Sequence, residues 1–131
     1  MQYSDKSLSL SFPVATGKSF PIGASVALTA TGVVDTPSSH EVSIGVVTAI
    51  DTDRNRVTIA THLLNVVKGR AKTNINAGVL VKEVFADTAT NGVPTFTNAA
   101  ANDYAVGVAL GTATANAEIE IGIFLGKVVK S

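Results

Sequence analysis

Residues 105–126 have the sequence AVGVALGTATANAEIEIGIFLG, and this stretch decides the predicted fold. It begins with a compact apolar run, and residues 111–117 that follow are small, polar and flexible. Residues 118–125 then alternate, with isoleucines and a leucine on one face and glutamates and a glycine on the other. A period of two is typical of a half-buried strand. The stretch therefore predicts two strands joined by a short turn.

Short apolar runs of the same kind recur along the chain. Two alternating runs flank the turn-forming DTDRN. In residues 42–50 the residues that share a face are Val42, Ile44, Val46, Thr48 and Ile50, and in residues 56–64 they are Val57, Ile59, Thr61 and Leu63. This pattern predicts a hairpin. Further strands are expected over residues 24–34, 79–85 and 93–97. Because no segment of 12 or more residues shows a 3.6-residue period, we predict an all-β fold, a small antiparallel β-barrel or sandwich with an extended N-terminal arm.

The sequence leaves two segments open. Residues 65–72 either extend the second hairpin strand or start another, and residues 98–103 form one helical turn or a loop. Residues 87–92, DTATNG, predict a turn. We expect residues 127–131 to form a basic tail beyond the last strand.

The N-terminal 23 residues differ in composition from the rest and are predicted as an extended arm, 1–23, before a β-barrel domain, 24–131. Within the arm, serines alternate with apolar residues, so that Leu8, Leu10 and Phe12 share one side of an extended chain. Two interpretations remain open: an edge strand on the chain's own core, or an arm that lies on a partner. Pro13 suits both, because proline favours an edge. With Phe20, the three apolar side chains are candidate interface residues.

Composition restricts the classes of function. The 131 residues suffice for one domain, or one domain plus an arm. The absence of cysteine excludes disulfides, thiol catalysis and cysteine zinc sites. Ten basic and ten acidic residues balance, which favours neither nucleic acid nor a membrane surface as a partner. No apolar run approaches a membrane span and no signal-peptide pattern is present, so an intracellular, unprocessed product is expected.

Two partial motifs do not support a ligand site. Gly17-Lys18-Ser19 resembles the end of a phosphate-binding loop, but Phe12 occupies the position of the first glycine and Pro21 argues against the following helix. Asp51, Asp53 and Asn55 have calcium-loop spacing, but the required later glycine and glutamate are missing, and the same residues favour a hairpin turn.

No catalytic constellation is evident in the sequence. Neither His40 nor His62 has a second metal ligand or a nucleophile at a sequence spacing that is typical of a metal or catalytic site. Glu118 and Glu120 share a strand face, but catalytic carboxylate pairs normally come from different strands, so both are expected to face solvent. We therefore predict no catalytic, cofactor-binding or metal-binding residues, and a protein that is not an enzyme.

Lys68, Arg70 and Lys72 alternate and would share one face of a strand. Arg54 and Arg56 precede them, giving five positive charges, but no aromatic residue lies between residues 54 and 72 to stack on nucleotide bases. Two interpretations remain: a solvated sheet face, or a docking surface for an acidic partner protein. The three alternating residues are candidate interface residues on the second interpretation.

The segments NINAGVLVKEVF, DTATNGVPTFT and AVGVALGTATANAEIEIGIFL occur in this order between residues 74 and 125. They resemble the small β-barrel capsid decoration (cement) proteins of tailed bacteriophages, in which a turn, a glycine and an apolar strand precede a Thr-rich strand, a Gly-Val-Ala-Leu strand and a final alternating strand. The resemblance covers over a third of the chain. The N-terminal segment and the 42–64 hairpin have no counterpart in it.

The resemblance implies a virion structural protein, made in the host cytoplasm, that binds the outer surface of the phage head. Its partner would be the major capsid protein, bound by a homotrimer without cofactors, nucleic acid or membrane. One alternative is a phage tail or baseplate subunit. Another is a β-sandwich carbohydrate-binding module, although the chain has no tryptophan and few tyrosines for sugar stacking.

Overall fold

The computed structural model describes residues 8–37, 43–61 and 63–130, without the side chains of residues 125–127. These residues form ten strands and one short helix. The elements in chain order are β1 Ser9–Pro13, β2 Ser25–Leu28, β3 Val34–Asp35, β4 Gly45–Asp51, β5 Arg56–Thr61, β6 Leu63–Ala71, β7 Leu80–Glu83, α1 Phe85–Asn91, β8 Thr95–Asn98, β9 Tyr104–Ala109 and β10 Glu118–Val129.

The first five strands form one sheet in the order β1-β5-β4-β2-β3. Its centre is the predicted hairpin, in which β4 and β5 pair antiparallel and Asp51 lies opposite Arg56. Asn55 has a positive φ of 54° in the turn between them, a conformation that asparagine tolerates better than most residues. The hairpin prediction is confirmed.

The alternation predicted for β4 is only partly correct. Ile44 is buried, but Ile50 is 46% exposed and Val47, assigned to the other face, is 1% exposed. The register of β4 against β5 shifts between Val47 and Ala49. Val47 lies before this shift and opposite the buried Ile59, so the prediction already fails there, ahead of the bulge. A bulge places an extra residue in one strand and reverses the phase beyond it, where Ile50 lies opposite the buried Val57. On β5, Val57 and Ile59 are buried as their alternation predicts.

Strand β1 lies at the edge of this sheet and pairs antiparallel with β5 of the same chain. Immediately after β1, Val14 forms a parallel bridge with Val34 of β3, the strand at the opposite edge. The two edges of the sheet therefore meet at this point, and the sheet curls toward closure.

The remaining strands form a closed barrel in the order β10-β6-β8-β7-β9. The predicted β9–β10 pair is antiparallel, with Ile121 opposite Ala109. The predicted end of the last strand was wrong: β10 continues to Val129, because a register shift after Ile123 lets the following residues pair again with the start of β9. One pair, β6 with β8, is parallel. The barrel and the sheet confirm the predicted all-β class.

Helix α1 replaces the turn predicted over residues 87–92. It begins at Phe85, which the sequence pattern predicts in a strand, and it ends at Asn91, followed by Gly92 in the left-handed conformation. The Gly92 amide donates to the Thr88 carbonyl at 2.9 Å, which satisfies one of the last carbonyls of the helix. The helix connects two neighbouring strands of the barrel, β7 and β8.

The described residues form two apolar clusters that stabilise the fold. One lies between the sheet and the barrel, combining side chains such as Val26, Ile59 and Val108, and the other fills the barrel around Ile121. The sheet and barrel also meet at Gly78, where an added Cβ atom would lie 1.9 Å from the Leu28 carbonyl oxygen. The five-stranded sheet and the barrel are therefore joined by a common apolar core as well as by the chain between them.

Candidate functional site

The predicted basic residues Lys68 and Arg70 lie on β6, next to β10 in the barrel. In the register of this pair, Glu118 lies opposite Arg70 and Glu120 lies opposite Lys68. Residues directly opposite each other in antiparallel strands project from the same face. The face therefore carries two positive and two negative side chains. We call these four residues the β6–β10 charged face.

Contacts within this face are those of exposed polar groups. The Lys68 ammonium lies 3.8 Å from the Glu118 carboxylate, and both side chains are about two-thirds exposed, 69% and 66%. The Arg70 guanidinium donates to the Asn116 side-chain oxygen. Exposed ion pairs contribute only about 0–1 kcal/mol each. The face can provide oriented donors and acceptors to a partner, but it has no excess of positive charge.

A shallow depression of about 360 Å³ lies beside these charges. Its lining residues are Lys68, Gly69, Arg70, Val93, Asn116 and Glu118. Gly69 also lines it, and a side chain would not fit at this position, because an added Cβ atom would be 2.5 Å from the Pro94 carbonyl oxygen and 2.6 Å from the Phe96 ring. Val93 is 42% exposed and provides an apolar wall. The depression thus combines a small apolar surface with a charged rim.

Lys72 does not join this depression. It follows the end of β6, and its ammonium lies 3.2 Å from the Asp87 carboxylate in the first turn of α1. The predicted three-residue basic face is therefore divided: Lys68 and Arg70 remain together, whereas Lys72 pairs with the helix. The sequence also did not indicate that Glu118 and Glu120 would lie opposite the basic residues, although the alternating charges on both strands were a usable signal.

The candidate residues of the N-terminal segment lie on the five-stranded sheet, away from the strands of the β6–β10 charged face. Leu8, Leu10, Phe12 and Phe20 are half-buried and pack against the cluster between sheet and barrel. On β1 the alternating Ser9 and Ser11 are exposed, as predicted for the opposite side. For the described part of this segment, the structure corresponds to the edge-strand interpretation, with the apolar side chains on the chain's own core.

The Gly17-Lys18-Ser19 segment forms a turn. The Lys18 ammonium lies 3.3 Å from the Asp35 carboxylate, and the amide of Thr36 donates to that carboxylate at 2.7 Å. Chiefly because of this amide, and also because of Lys18, the pKa of Asp35 lies below its ordinary value. The lysine therefore has a partner in the structure, and no described helix follows the turn to bind a phosphate.

The calcium-like residues serve the β4–β5 turn. The Asp51 carboxylate accepts a hydrogen bond from the Arg54 amide at 3.3 Å, and the Asn55 side-chain amide donates to the Val14 carbonyl at 3.2 Å. Among residues 8–37, 43–61 and 63–130, no group of three or more His, Asp or Glu side chains could hold a metal ion. His40 and His62 lie outside the described residues.

A smaller cavity, of about 100 Å³, lies beside this turn. Its wall is mainly apolar, with Val14, Phe20 and Ile50 among the lining residues, and Lys18 and Arg56 are at its rim. Both cations already contact groups of the chain, Lys18 through Asp35 and Arg56 through Ser11. The cavity therefore does not present an unoccupied cluster of charge.

Comparisons of this chain with protein families, with curated proteins and with solved structures find no match. In the part of the chain that the structure describes, no helix is long and apolar enough to span a membrane. The functional hypothesis therefore rests on the residues of the chain and on how the fold arranges them.

Proposed function

We propose that this chain is a capsid decoration protein of a tailed bacteriophage. It binds the outer surface of the assembled head and stabilises contacts between major capsid proteins. The observation that carries the proposal is the position of residues 74–125, the segment that resembles such proteins. This segment contains β7, β8 and β9 and most of β10, four of the five strands of the closed barrel. The motifs thus belong to one structural unit and not to scattered surface segments.

The β6–β10 charged face and its depression are the surface that best suits capsid contact. Protein interfaces commonly combine an apolar centre with a polar rim, and here Val93 lies among the charged and amide side chains lining the depression. A pattern of alternating charges fixes the orientation of a partner more than it adds affinity. Such a surface suits a protein that occupies equivalent positions on a regular lattice.

The proposed stabilisation is a mass-action effect. A protein that binds the assembled lattice, and not its dissociated subunits, shifts the equilibrium toward assembly. A homotrimer would bind several capsid subunits at once, so modest contacts would add through multivalency. The proposal requires no cofactor, nucleic acid, membrane or catalytic step.

The experiment uses undecorated heads assembled from the major capsid protein encoded in the same genome. Purified chain is added and the heads are imaged by electron cryomicroscopy, and their thermal disruption is followed in parallel. We expect added density at repeated outer positions and a higher disruption temperature. Heads without added density would overturn the proposal, whereas density on tails or baseplates would support the alternative of a tail subunit.

A pair of matched variants tests the surface. Val93→Glu places a charge in the depression, and Val129→Glu places the same charge at the end of β10, where the valine is similarly exposed, 52% against 42%. We expect the first substitution to weaken binding to heads and the second to leave it unchanged. Equal effects of both would exclude the depression as the contact surface without excluding decoration itself.

Two exposed aromatic side chains favour a carbohydrate-binding module as the second candidate. Tyr104 is 64% exposed and Phe85 is 67% exposed, and exposed rings can stack on sugars. A glycan array distinguishes this candidate, since a binding module should retain immobilised glycans and lose them in Tyr104→Ala. A decoration protein should retain none.

A further inference from the structure

The outer edge of β1 is the edge of the five-stranded sheet at which another strand could add. Exposed sheet edges present unpaired amide and carbonyl groups, and they can template pairing with a second molecule. Among the described residues, no strand pairs with β1 on the side away from β5, except through the bridge of the following Val14 to Val34. The question is therefore which amide and carbonyl groups of β1 point to this edge.

The hydrogen bonds between β1 and β5 determine which residues of β1 direct their backbone amide and carbonyl groups to the outer edge of the sheet. The Thr61 amide donates to the Leu8 carbonyl, and the Val14 amide donates to the Asn55 carbonyl, both at 2.9 Å. Pairing between β1 and β5 is regular, without a register shift. Since antiparallel strands bond their partner at every second residue, the backbone groups of Ser9, Ser11 and Pro13 point to the outer edge.

Two of these three outward residues are blocked by the chain itself. Pro13 has no amide hydrogen to donate. Arg56, which lies opposite Pro13 on β5, extends along the face of β1 and donates from Nη2 to the Ser11 carbonyl at 3.0 Å. Its Nε also donates to the Ser11 hydroxyl at 3.1 Å. With respect to the described residues, an added strand would therefore find only Ser9, of these three, with both outward backbone groups available.

We propose that Pro13 and the Arg56 side chain together prevent strand addition at the outer edge of β1, and that removing both makes this edge a site of self-association. The partner would be the same edge of a second copy, since two β1 strands related by a twofold axis would pair antiparallel. The inference does not depend on capsid decoration. It concerns how the chain avoids pairing through the backbone of this edge.

The test combines Arg56→Met, which keeps the aliphatic stem, with Pro13→Val, which restores an amide donor. We expect sedimentation velocity of the double variant to show a species of twice the wild-type mass, with a fraction that rises with concentration. Arg54→Met is the matched control. It removes the same charge from the same hairpin, where the Arg54 side chain is 79% exposed, and it should leave the mass distribution unchanged.

A third substitution locates the association. Ser9→Pro removes an outward amide without removing a bond to β5, so adding it to the double variant should restore the wild-type mass. A folded double variant with the wild-type mass distribution, or doubling that Ser9→Pro does not reverse, would overturn the proposal. If circular dichroism shows that the double variant does not fold, Arg56→Met alone must show partial doubling, and a folded Arg56→Met protein without it would equally overturn the proposal.

Discussion

Glu120 on β10 lies directly opposite Lys68 on β6, and their side chains project from the same face of the barrel. The neighbouring pair on this face, Glu118 and Arg70, has the same arrangement. What the linear sequence presents as a run of positive charge is therefore half of a balanced surface. The charge of each strand compensates that of the other.

Reversing one charge should reveal this compensation. Lys68→Glu places a carboxylate opposite Glu120, and like charges in this position are destabilising by about 0.2–1 kcal/mol. Adding Glu120→Lys should restore most of the lost free energy of unfolding, which urea denaturation measures. Because both side chains are near the surface, high salt should reduce the difference. A Lys68→Glu protein with the same loss in low and high salt would contradict this interpretation.

The junction between sheet and barrel depends on Gly78. This residue has a φ of +84°, and a Cβ atom on it would lie 1.9 Å from the Leu28 carbonyl oxygen. Gly78→Ala should therefore combine left-handed strain of about 1–2 kcal/mol with overpacking of about 1–3 kcal/mol. Denaturant unfolding should show a loss of roughly 3 kcal/mol from these two terms.

Gly17→Ala is the control for the conformational contribution alone. Gly17 has a similar φ of +79°, but an added Cβ atom would meet nothing within 4 Å. We expect its loss of stability to be about 1 kcal/mol. If the two alanine variants were equally stable, the close approach of Gly78 to Leu28 would not matter energetically.

The barrel interior should be sensitive to a single large-to-small substitution. Ile121 is fully buried, with an exposed fraction of 0%, whereas Ile22 is 68% exposed. Ile121→Ala should lower the free energy of unfolding by about 2–5 kcal/mol, because it leaves a cavity as well as losing apolar burial. Ile22→Ala, the same chemical change at the surface, should cost no more than about 0.5 kcal/mol. Similar losses from both would contradict the assignment of Ile121 to the core.

Low pH should reduce the stabilising contribution of Asp103, which lies just before β9. The Ala100 amide donates to the Asp103 carboxylate at 2.8 Å, and the Lys82 ammonium lies 3.0 Å away. Chiefly through this amide, and then through Lys82, the pKa of Asp103 lies below its ordinary value of 3.8. A lowered native pKa stabilises the fold above the unfolded-state pKa, and this contribution is lost as the pH falls through the native one.

A carboxyl titration by nuclear magnetic resonance measures this effect directly. The Asp103 midpoint should lie below 3.8, and in Lys82→Met it should rise but remain below that value, because the backbone donor is retained. Asp103→Asn should reduce the loss of stability between neutral and strongly acidic pH. A midpoint at or above the ordinary value would contradict the role of the Ala100 amide.

Alternation was sufficient to predict the strands whose two faces differ in environment. It located β5 and β10, because one side of each strand carries the large apolar residues and the other carries polar or small ones, whereas β9 was predicted as a compact apolar run and is largely buried. Alternation failed on β4 at Val47, which is buried opposite Ile59 although the alternation assigned it to the other face, and a bulge after Val47 interrupts the alternation. It also missed α1, since seven residues form only about two turns of helix and DTATN has turn-forming composition.

Strand partners could not be predicted in the same way. The pairing of β6 with β10 and the parallel pairing of β6 with β8 join residues that are distant in sequence. A strand's periodicity specifies which side chains face inward, but it does not specify which strand lies beside it. The composition of the candidate surface depends on this missing information, because Glu118 and Glu120 come from one strand and Lys68 and Arg70 from the other.

The chain leaves the five-stranded sheet at Thr61 and enters the barrel at Leu63. Both strands are paired on both sides: β5 lies between β1 and β4, and β6 lies between β10 and β8. Only one residue separates the two strands. Unfolding of β5 would therefore disturb the pairing of β6, and unfolding of β6 would disturb the pairing of β5. The consequence is cooperative unfolding: we expect sheet and barrel to melt in a single transition, as one thermodynamic unit.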